Sequence, residues 1–171
     1  MDTITQHSKD MERIISALNI CRNLHEGQTD KCGQPYWIHP FTVAMRGFTG
    51  YNNSSEISRA IVGLLHDIPE DTGMSVDALA TLIELTDEEK SALRLLTHDN
   101  RVSYDTYINS ILESGNELAI EVKADDLLHN TNLNRFVDAG LYITEKDELR
   151  HEKYMKYLKK LIAHLNGSEE V

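Results

Sequence analysis

The sequence has little cysteine and no long hydrophobic run, and both absences exclude classes of protein. Only Cys21 and Cys32 occur among 171 residues, so the chain has neither a disulfide framework nor a Cys-x-x-Cys pair. Two free thiols fit a reducing compartment, and we expect a cytoplasmic protein. No stretch of about 18 apolar residues is present, and residues 1–10 lack the apolar region of a signal peptide. We therefore expect no contact with a membrane.

Basic residues are also scarce, with 17 Lys and Arg against 28 Asp and Glu and a net charge of -11. Such a chain is poorly suited to bind nucleic acid, whose phosphates require basic surfaces. A polyanionic small molecule remains compatible with this charge, because a metal ion and a few lysines can reverse the field inside one cleft. The length fits one domain, which we place at 1–166, followed by a flexible tail at 167–171.

Apolar residues recur at spacings of three and four along most of the chain, which predicts helices. The predicted helices cover 10–25, about 39–46, 54–67, a segment opening at 75–77, 86–96, 103–112, 116–130 and 144–165. Pro69 disfavours helical geometry at Ile68 and marks a break after the third helix. Strand signals are weak throughout, so we predict an all-α fold.

Four side chains with imidazole or carboxylate groups are candidates for a shared site: His39, His66, Asp67 and Asp126. His66 and Asp67 end the apolar run 60–65, and Asp126 lies within an apolar helical segment. Such groups are costly to bury without partners. Two neutral imidazoles and two carboxylates form a mixed donor set that suits a divalent cation.

Two further carboxylates, Glu70 and Asp71, follow the break at Pro69 and can fold back over the same site. One carboxylate near a metal can remain ionised and orient water, while the other holds a proton for a leaving group. The alternative interpretation is that Glu70 and Asp71 cap the next helix.

Lys123, Asp126 and Asn130 are spaced three and four apart and therefore share one helix face. Asp126 and Asn130 could alternatively form a purely structural hydrogen-bonded pair. Packing roles are favoured for three tyrosines and two histidines: Tyr104, Tyr107, Tyr154, His25 and His129. The remaining histidines are predicted to lie on the surface: His7, His98, His151 and His164.

Three segments resemble the HD-domain metal phosphohydrolases, in particular the RelA/SpoT-type hydrolase domain and the small alarmone hydrolases. They are Gly33-x-Pro35-Tyr36-x-x-His39-Pro40, Leu64-Leu65-His66-Asp67-x-x-Glu70-Asp71-Thr72 and Lys123-x-x-Asp126-x-x-x-Asn130. The resemblance extends over roughly residues 25–130, and its most specific part is His-Asp-x-x-Glu-Asp.

This resemblance implies an HD-domain helical bundle of about eight or nine helices that hydrolyses a nucleotide, with (p)ppGpp 3′-pyrophosphohydrolase as the main activity. It implies one divalent metal, Mn²⁺ in this branch of the family, with Fe, Co, Zn and Mg as alternatives. The implied metal ligands are His39, His66, Asp67 and Asp126. The implied acid–base residues are Glu70 and Asp71. The implied substrate contacts are Lys31, Lys123 and Asn130.

Four positions depart from the alarmone hydrolase pattern: Asp30, Leu127, Asn132 and Leu133. Asp30 stands where the family has an arginine that packs on the guanine base. Two alternatives therefore stay open, namely a nucleotidase or phosphodiesterase on another nucleotide and a catalytically silent nucleotide-binding regulator. A homo-oligomer is compatible with the sequence, which does not determine the oligomeric state.

Overall fold

The computed structural model describes residues 3–48 and 54–167, and this part of the chain is helical, apart from its connecting segments and one isolated bridge between Thr29 and Pro35. The helices are α1 (Thr3–Leu24), α2 (Ile38–Arg46), α3 (Ser54–Leu65), α4 (Ile68–Thr72), α5 (Val76–Leu82), α6 (Asp87–Leu96), α7 (Tyr104–Glu113), α8 (Glu117–Asn130), α9 (Asn134–Asp138) and α10 (Glu145–Leu165). The all-α prediction is confirmed. The predicted tail at 167–171 lies outside the described residues except for Gly167. No described helix is both long and apolar enough to cross a membrane.

Polar side chains that cap the backbone determine where most of the predicted helices begin. An oxygen of the residue before the helix accepts a backbone N–H of the first turn in α5, α6, α7, α8 and α10. In α6, Thr86 and Glu89 form both halves of the capping box that their spacing predicted. The sequence therefore placed these helix starts within about a residue.

The helices differ from the prediction at four places. Helix α1 begins at Thr3 rather than at residue 10, and α3 ends at Leu65 rather than at residue 67. The five-residue helices α4 and α9 were not predicted, because so short a segment carries too few apolar positions to reveal a period.

Helices α3 and α8 form the centre of the bundle. Helix α3 packs against α1, α2, α6 and α8, and α8 also contacts α2, α6 and α10. Residues 60–65 of α3 are almost completely shielded from solvent. Arg59 joins the two central helices by donating from Nε to Asp125 Oδ2 over 3.0 Å. This ion pair holds α8 in place directly beside Asp126.

Helices α2 and α3 cross at Gly63, where their backbones approach closely. A Cβ atom built on Gly63 would lie 2.8 Å from the Ala44 Cα atom, closer than real Cβ contacts occur. Only glycine therefore permits this crossing.

We expect Gly63→Ala to lower the free energy of unfolding by about 1–3 kcal/mol, because the added methyl must push the two backbones apart. Urea unfolding followed by circular dichroism measures this change. Asn19→Ala, on the exposed face of α1, is the control and should change the free energy by no more than about 0.5 kcal/mol. An unfolding curve for Gly63→Ala that matches the unchanged protein would contradict the close approach.

Candidate metal site and active site

The structure brings His39, His66, Asp67 and Asp126 together from three separate parts of the chain. His39 lies on α2, His66 and Asp67 lie between α3 and α4, and Asp126 lies on α8. Ligand atoms of His39, His66 and Asp67 all lie within 4.8 Å of one another. The His39 Nε2 atom is 3.3 Å from Asp67 Oδ2 and 3.2 Å from Asp126 Oδ1.

The chain turns at His66 and Asp67 because α3 ends at Leu65 and Pro69 occupies the first turn of α4. Proline suits this position, since it lacks the N–H that a helix start leaves unpaired. Asp67 stands at the N-cap of α4, but its side chain makes no capping hydrogen bond. Its carboxylate is therefore available to the two imidazoles.

The His66 imidazole supplies the observation that tests whether a cation fits. Its Nδ1 atom is 2.8 Å from the Gly63 carbonyl oxygen, which identifies Nδ1 as the donor. Its buried Nε2 atom makes no hydrogen bond to any described residue. That atom faces Asp67 Oδ1 at 3.1 Å and Asp126 Oδ1 at 3.9 Å. A buried nitrogen that faces two carboxylates is satisfied by a divalent cation between them, so the residues fit a metal site.

Helix α8 contributes a compact polar group around Asp126. Lys123 Nζ donates to Asp126 Oδ2 over 2.7 Å, and Asn130 Nδ2 donates to Asp126 Oδ1 over 2.6 Å. Burial alone would raise the pKa of Asp126, but the Lys123 charge and the adjacent imidazoles of His39 and His66 hold it well below its usual value. Asp126 and Asn130 thus form the structural pair that sequence offered as an alternative, and Asp126 faces His39 at the same time.

Tyr36 links two of the candidate carboxylates. Its hydroxyl donates to Asp67 Oδ2 over 2.8 Å and lies close to Asp71. Burial would raise the pKa of Asp67, but the adjacent imidazoles of His66 and His39 hold it well below its usual value. Burial and the Asp67 charge raise the pKa of the Tyr36 phenol, so it remains a neutral donor.

Glu70 and Asp71 lie on the short helix α4 and face the pocket described below. The capping alternative is wrong for both, because Ser75 caps the next helix by accepting the Ala78 N–H. Both carboxyl groups can therefore serve the site.

The environments of Glu70 and Asp71 raise the pKa of both carboxyl groups. Partial burial raises the pKa of Glu70, against the opposing effect of a 3.3 Å hydrogen bond from the His98 N–H and of the Lys123 charge. Partial burial and the Asp67 charge raise the pKa of Asp71. A carboxyl with a raised pKa can deliver a proton closer to neutral pH than an ordinary one.

A pocket of about 270 Å³ opens beside these groups, close to the lower end of the ~300–1,000 Å³ range of small-molecule sites. All of the predicted site residues except His66 line it: Lys31, His39, Asp67, Glu70, Asp71, Lys123, Asp126 and Asn130. His66 is buried next to Asp67. Lys31 is exposed at the pocket wall, and Lys123 is buried against Asp126.

Sequence reasoning missed several pocket residues. Arg135 on α9 forms an ion pair with Asp30, and Arg150 on α10 pairs with Asp147 at 2.8 Å. Both arginines line the pocket, as does His98, which the sequence had assigned to the surface. A weak signal existed for Arg135, since it lies three residues after Asn132, one of the four positions that depart from the alarmone hydrolase pattern. Its approach to Asp30 depends on tertiary structure and leaves no local pattern.

The three tyrosines have the packing role that the sequence favoured and also line the pocket. Tyr107 is buried in the core, and Tyr104 and Tyr154 pack against that core. All three also line the pocket. Lys123 Nζ lies 5.2 Å from the centre of the Tyr107 ring, within the range of a cation–π contact. The tyrosine rings therefore lie directly beside Lys123, one of the polar residues of the site.

His129 contacts a candidate metal ligand, although sequence favoured plain packing. Its Nδ1 atom lies 2.5 Å from His39 Nδ1, and Arg135 Nη1 lies 3.4 Å from the same His129 atom. Burial, His39 and Arg135 lower the pKa of His129 to about 3, so this imidazole is neutral near pH 7.

Known proteins with similar sequences are of RelA/SpoT type. A GTP pyrophosphokinase from Myxococcus xanthus is 39% identical over 87 residues, which are 50% of this chain and 10% of that protein. A guanosine-3′,5′-bis(diphosphate) 3′-pyrophosphohydrolase from Borreliella burgdorferi is 36% identical over 70 residues, 41% of this chain and 10% of that protein. A protein named as a probable enzyme of the same activity, from Mycoplasma pneumoniae, is 27% identical over 137 residues, 72% of this chain and 18% of that protein. This chain thus spans between about a tenth and a fifth of the length of these relatives.

A solved structure supports the fold independently. A metazoan ortholog of SpoT, described as hydrolysing ppGpp, superimposes with a TM-score of 0.64 at 21% identity, covering 92% of this chain and 87% of that one. No family model matches the sequence. In sequence the chain is thus similar to guanosine-3′,5′-bis(diphosphate) 3′-pyrophosphohydrolases, and its fold is similar to that of the SpoT ortholog.

Proposed function

We propose that the chain is a divalent-metal-dependent phosphohydrolase that removes the 3′-pyrophosphate of (p)ppGpp. The observation that carries this proposal is the convergence of His39, His66, Asp67 and Asp126 beside the acidic pair Glu70 and Asp71. The activities for which the Borreliella and Mycoplasma relatives are named support the same reaction.

His39, His66, Asp67 and Asp126 would hold the cation. Bound there, a divalent cation lowers the pKa of a water ligand and polarises a phosphoryl oxygen. Asp71 lies close to the Tyr36 hydroxyl that donates to Asp67. It is placed to orient the attacking water and accept its proton. Glu70, which accepts the His98 N–H, is placed to donate a proton to the leaving ribose oxygen. Attack on the phosphorus then releases pyrophosphate and leaves the 3′-hydroxyl.

Other residues that line the pocket would hold the rest of the nucleotide. Lys31 and Lys123 supply positive charge, and Asn130 supplies an amide for hydrogen bonds. Tyr104 and Tyr154 offer aromatic faces on which a base can stack.

Another nucleotide is the second candidate substrate, and one observation favours it. Asp30, which replaces the family's base-packing arginine, lines the pocket and forms an ion pair with Arg135. A carboxylate paired in this way presents a different surface to a base from a free guanidinium. A nucleotidase or phosphodiesterase acting on a base other than guanine would fit this change.

A nucleotide panel tests the proposal. We expect the Mn²⁺-loaded protein to release pyrophosphate from ppGpp and pppGpp, with chelator-treated protein as the control. Phosphate release confined to other nucleotides would instead support the second candidate. Nucleotide binding without turnover of any compound would support a silent regulator. Parallel reactions with Fe²⁺, Co²⁺, Zn²⁺ and Mg²⁺ identify the preferred metal, for which Mn²⁺ is our proposal.

Several attributes of the protein stay predictions. The cytoplasmic location rests on Cys21 and Cys32, both of which are free thiols. The single domain at 1–166 and the absence of nucleic-acid partners also stay predictions, and a homo-oligomer is compatible with the sequence.

A further inference from the structure

We propose that His129 is a positioning residue that fixes the His39 imidazole in the orientation and tautomer needed to bind the cation. The inference rests on the proposed metal site, but it does not depend on which substrate the protein hydrolyses. The contact between the two Nδ1 atoms, 2.5 Å apart, is its starting point.

The contacts around His129 decide which nitrogen carries the shared proton. Two imidazole nitrogens at hydrogen-bond distance need one donor and one acceptor. Arg135 Nη1 also approaches His129 Nδ1, at 3.4 Å, and a guanidinium can only donate. His129 Nδ1 is therefore the acceptor, and His39 Nδ1 is the donor.

This assignment has a direct consequence for the metal site. A neutral His39 that carries its proton on Nδ1 has its lone pair on Nε2, the atom that faces Asp67 and Asp126. His66 reaches the same tautomer by a different route, since its Nδ1 donates to the Gly63 carbonyl. A second hydrogen bond of this kind commonly orients a histidine ligand, but its usual acceptor is a carboxylate, carbonyl or water.

Arg135 is itself held in place by residues of this chain. Asp30 Oδ2 accepts from Arg135 Nη2, and Asp30 Oδ1 accepts the backbone N–H groups of Cys32 and Gln34 over 2.8 and 2.9 Å. An arginine at position 30, as in the alarmone hydrolase pattern, would repel Arg135. Asp30 thus holds Arg135, whose guanidinium can only donate, next to His129. Because His129 Nδ1 must then accept, the proton between the two imidazoles belongs to His39.

Metal affinity of two His129 variants tests the proposal without any turnover. His129→Phe keeps a ring of similar size but removes the acceptor, whereas His129→Asn keeps an acceptor oxygen close to the position of Nδ1. We expect His129→Phe to weaken Mn²⁺ affinity by about 10–100-fold, the usual effect of losing a hydrogen-bond partner of a ligand. We expect His129→Asn to recover most of this loss. Competition with a fluorescent chelator measures both affinities, and His164→Phe on the exposed side of α10 is the control.

A spectroscopic measurement separates positioning from packing. In the Co²⁺-loaded protein, the Nδ1–H protons of His39 and His66 should give two exchangeable, paramagnetically shifted proton resonances. His129→Phe should shift or remove one of them and leave the other unchanged. Wild-type Mn²⁺ affinity in His129→Phe, equal weakening in both variants, or two unchanged resonances would each overturn the proposal. If the proposed hydrolysis is wrong, the nucleotide panel fails while these metal measurements still give their expected result.

Discussion

Asp67→Ala should abolish turnover and weaken divalent-metal binding by more than the roughly 100-fold that loss of an outer hydrogen-bond partner can cause. Asp67 presents one oxygen to each histidine, with Oδ2 at 3.3 Å from His39 Nε2 and Oδ1 at 3.1 Å from His66 Nε2. Its removal takes a negative charge from between two buried imidazoles and also deprives Tyr36 of its acceptor. Metal content after gel filtration and chelator competition measure the binding loss.

The control for this variant is Asp138→Ala, which removes an exposed aspartate that does not line the pocket. Both proteins should first be compared by thermal unfolding, because the loss of a buried charge partner can also destabilise the fold. If folded Asp67→Ala retains metal and turnover, Asp67 is not a ligand.

The double variant Glu70→Gln, Asp71→Asn should slow hydrolysis by about 10²–10⁴-fold, the usual contribution of acid–base catalysis, while metal affinity remains close to that of the unchanged protein. The amides preserve the size of both side chains but can neither accept nor deliver the proton that the proposed roles require. Steady-state rates at saturating nucleotide, together with Mn²⁺ titration, separate these two effects.

The matched control is another adjacent acidic pair, Asp87 and Glu88, at the start of α6. Asp87→Asn, Glu88→Gln makes the same chemical change on an exposed surface, where the Asp87–Lys90 ion pair contributes little to stability. Its rate should be unchanged. An unaffected rate in Glu70→Gln, Asp71→Asn would place the acid–base groups elsewhere in the pocket, and a rate loss accompanied by metal loss would indicate that the acids bind the cation.

The longer helices could be predicted because their signals are local. Thr86 and Glu89 mark the start of α6 by their spacing alone, and both halves of that capping box form. A break near Pro69 was also predicted, but it lies at His66 and Asp67; Ile68, where proline was expected to disfavour helical geometry, is the first residue of α4. Helices α4 and α9 could not be predicted, because a helix of five residues completes little more than one turn.

The residues of the candidate site also differ in whether a local sequence signal reveals them. His66, Asp67, Glu70 and Asp71 lie in one short segment, and the resemblance to HD-domain proteins rests mainly on it. The contact between His39 and His129 joins residues 90 positions apart. No periodicity or spacing encodes such a contact, because it arises only when α2 packs against α8. Sequence could therefore identify the groups that do chemistry but not the side chains that orient them.

The candidate ligands come from α2, the junction of α3 with α4, and α8, so a single cation would cross-link elements that are far apart along the chain. Any ligand that binds only the folded state adds its binding free energy to that of folding. The melting temperature of this protein is then a function of free metal concentration rather than a constant of the polypeptide. Variants in any of these helices are comparable only in solutions buffered to the same metal activity.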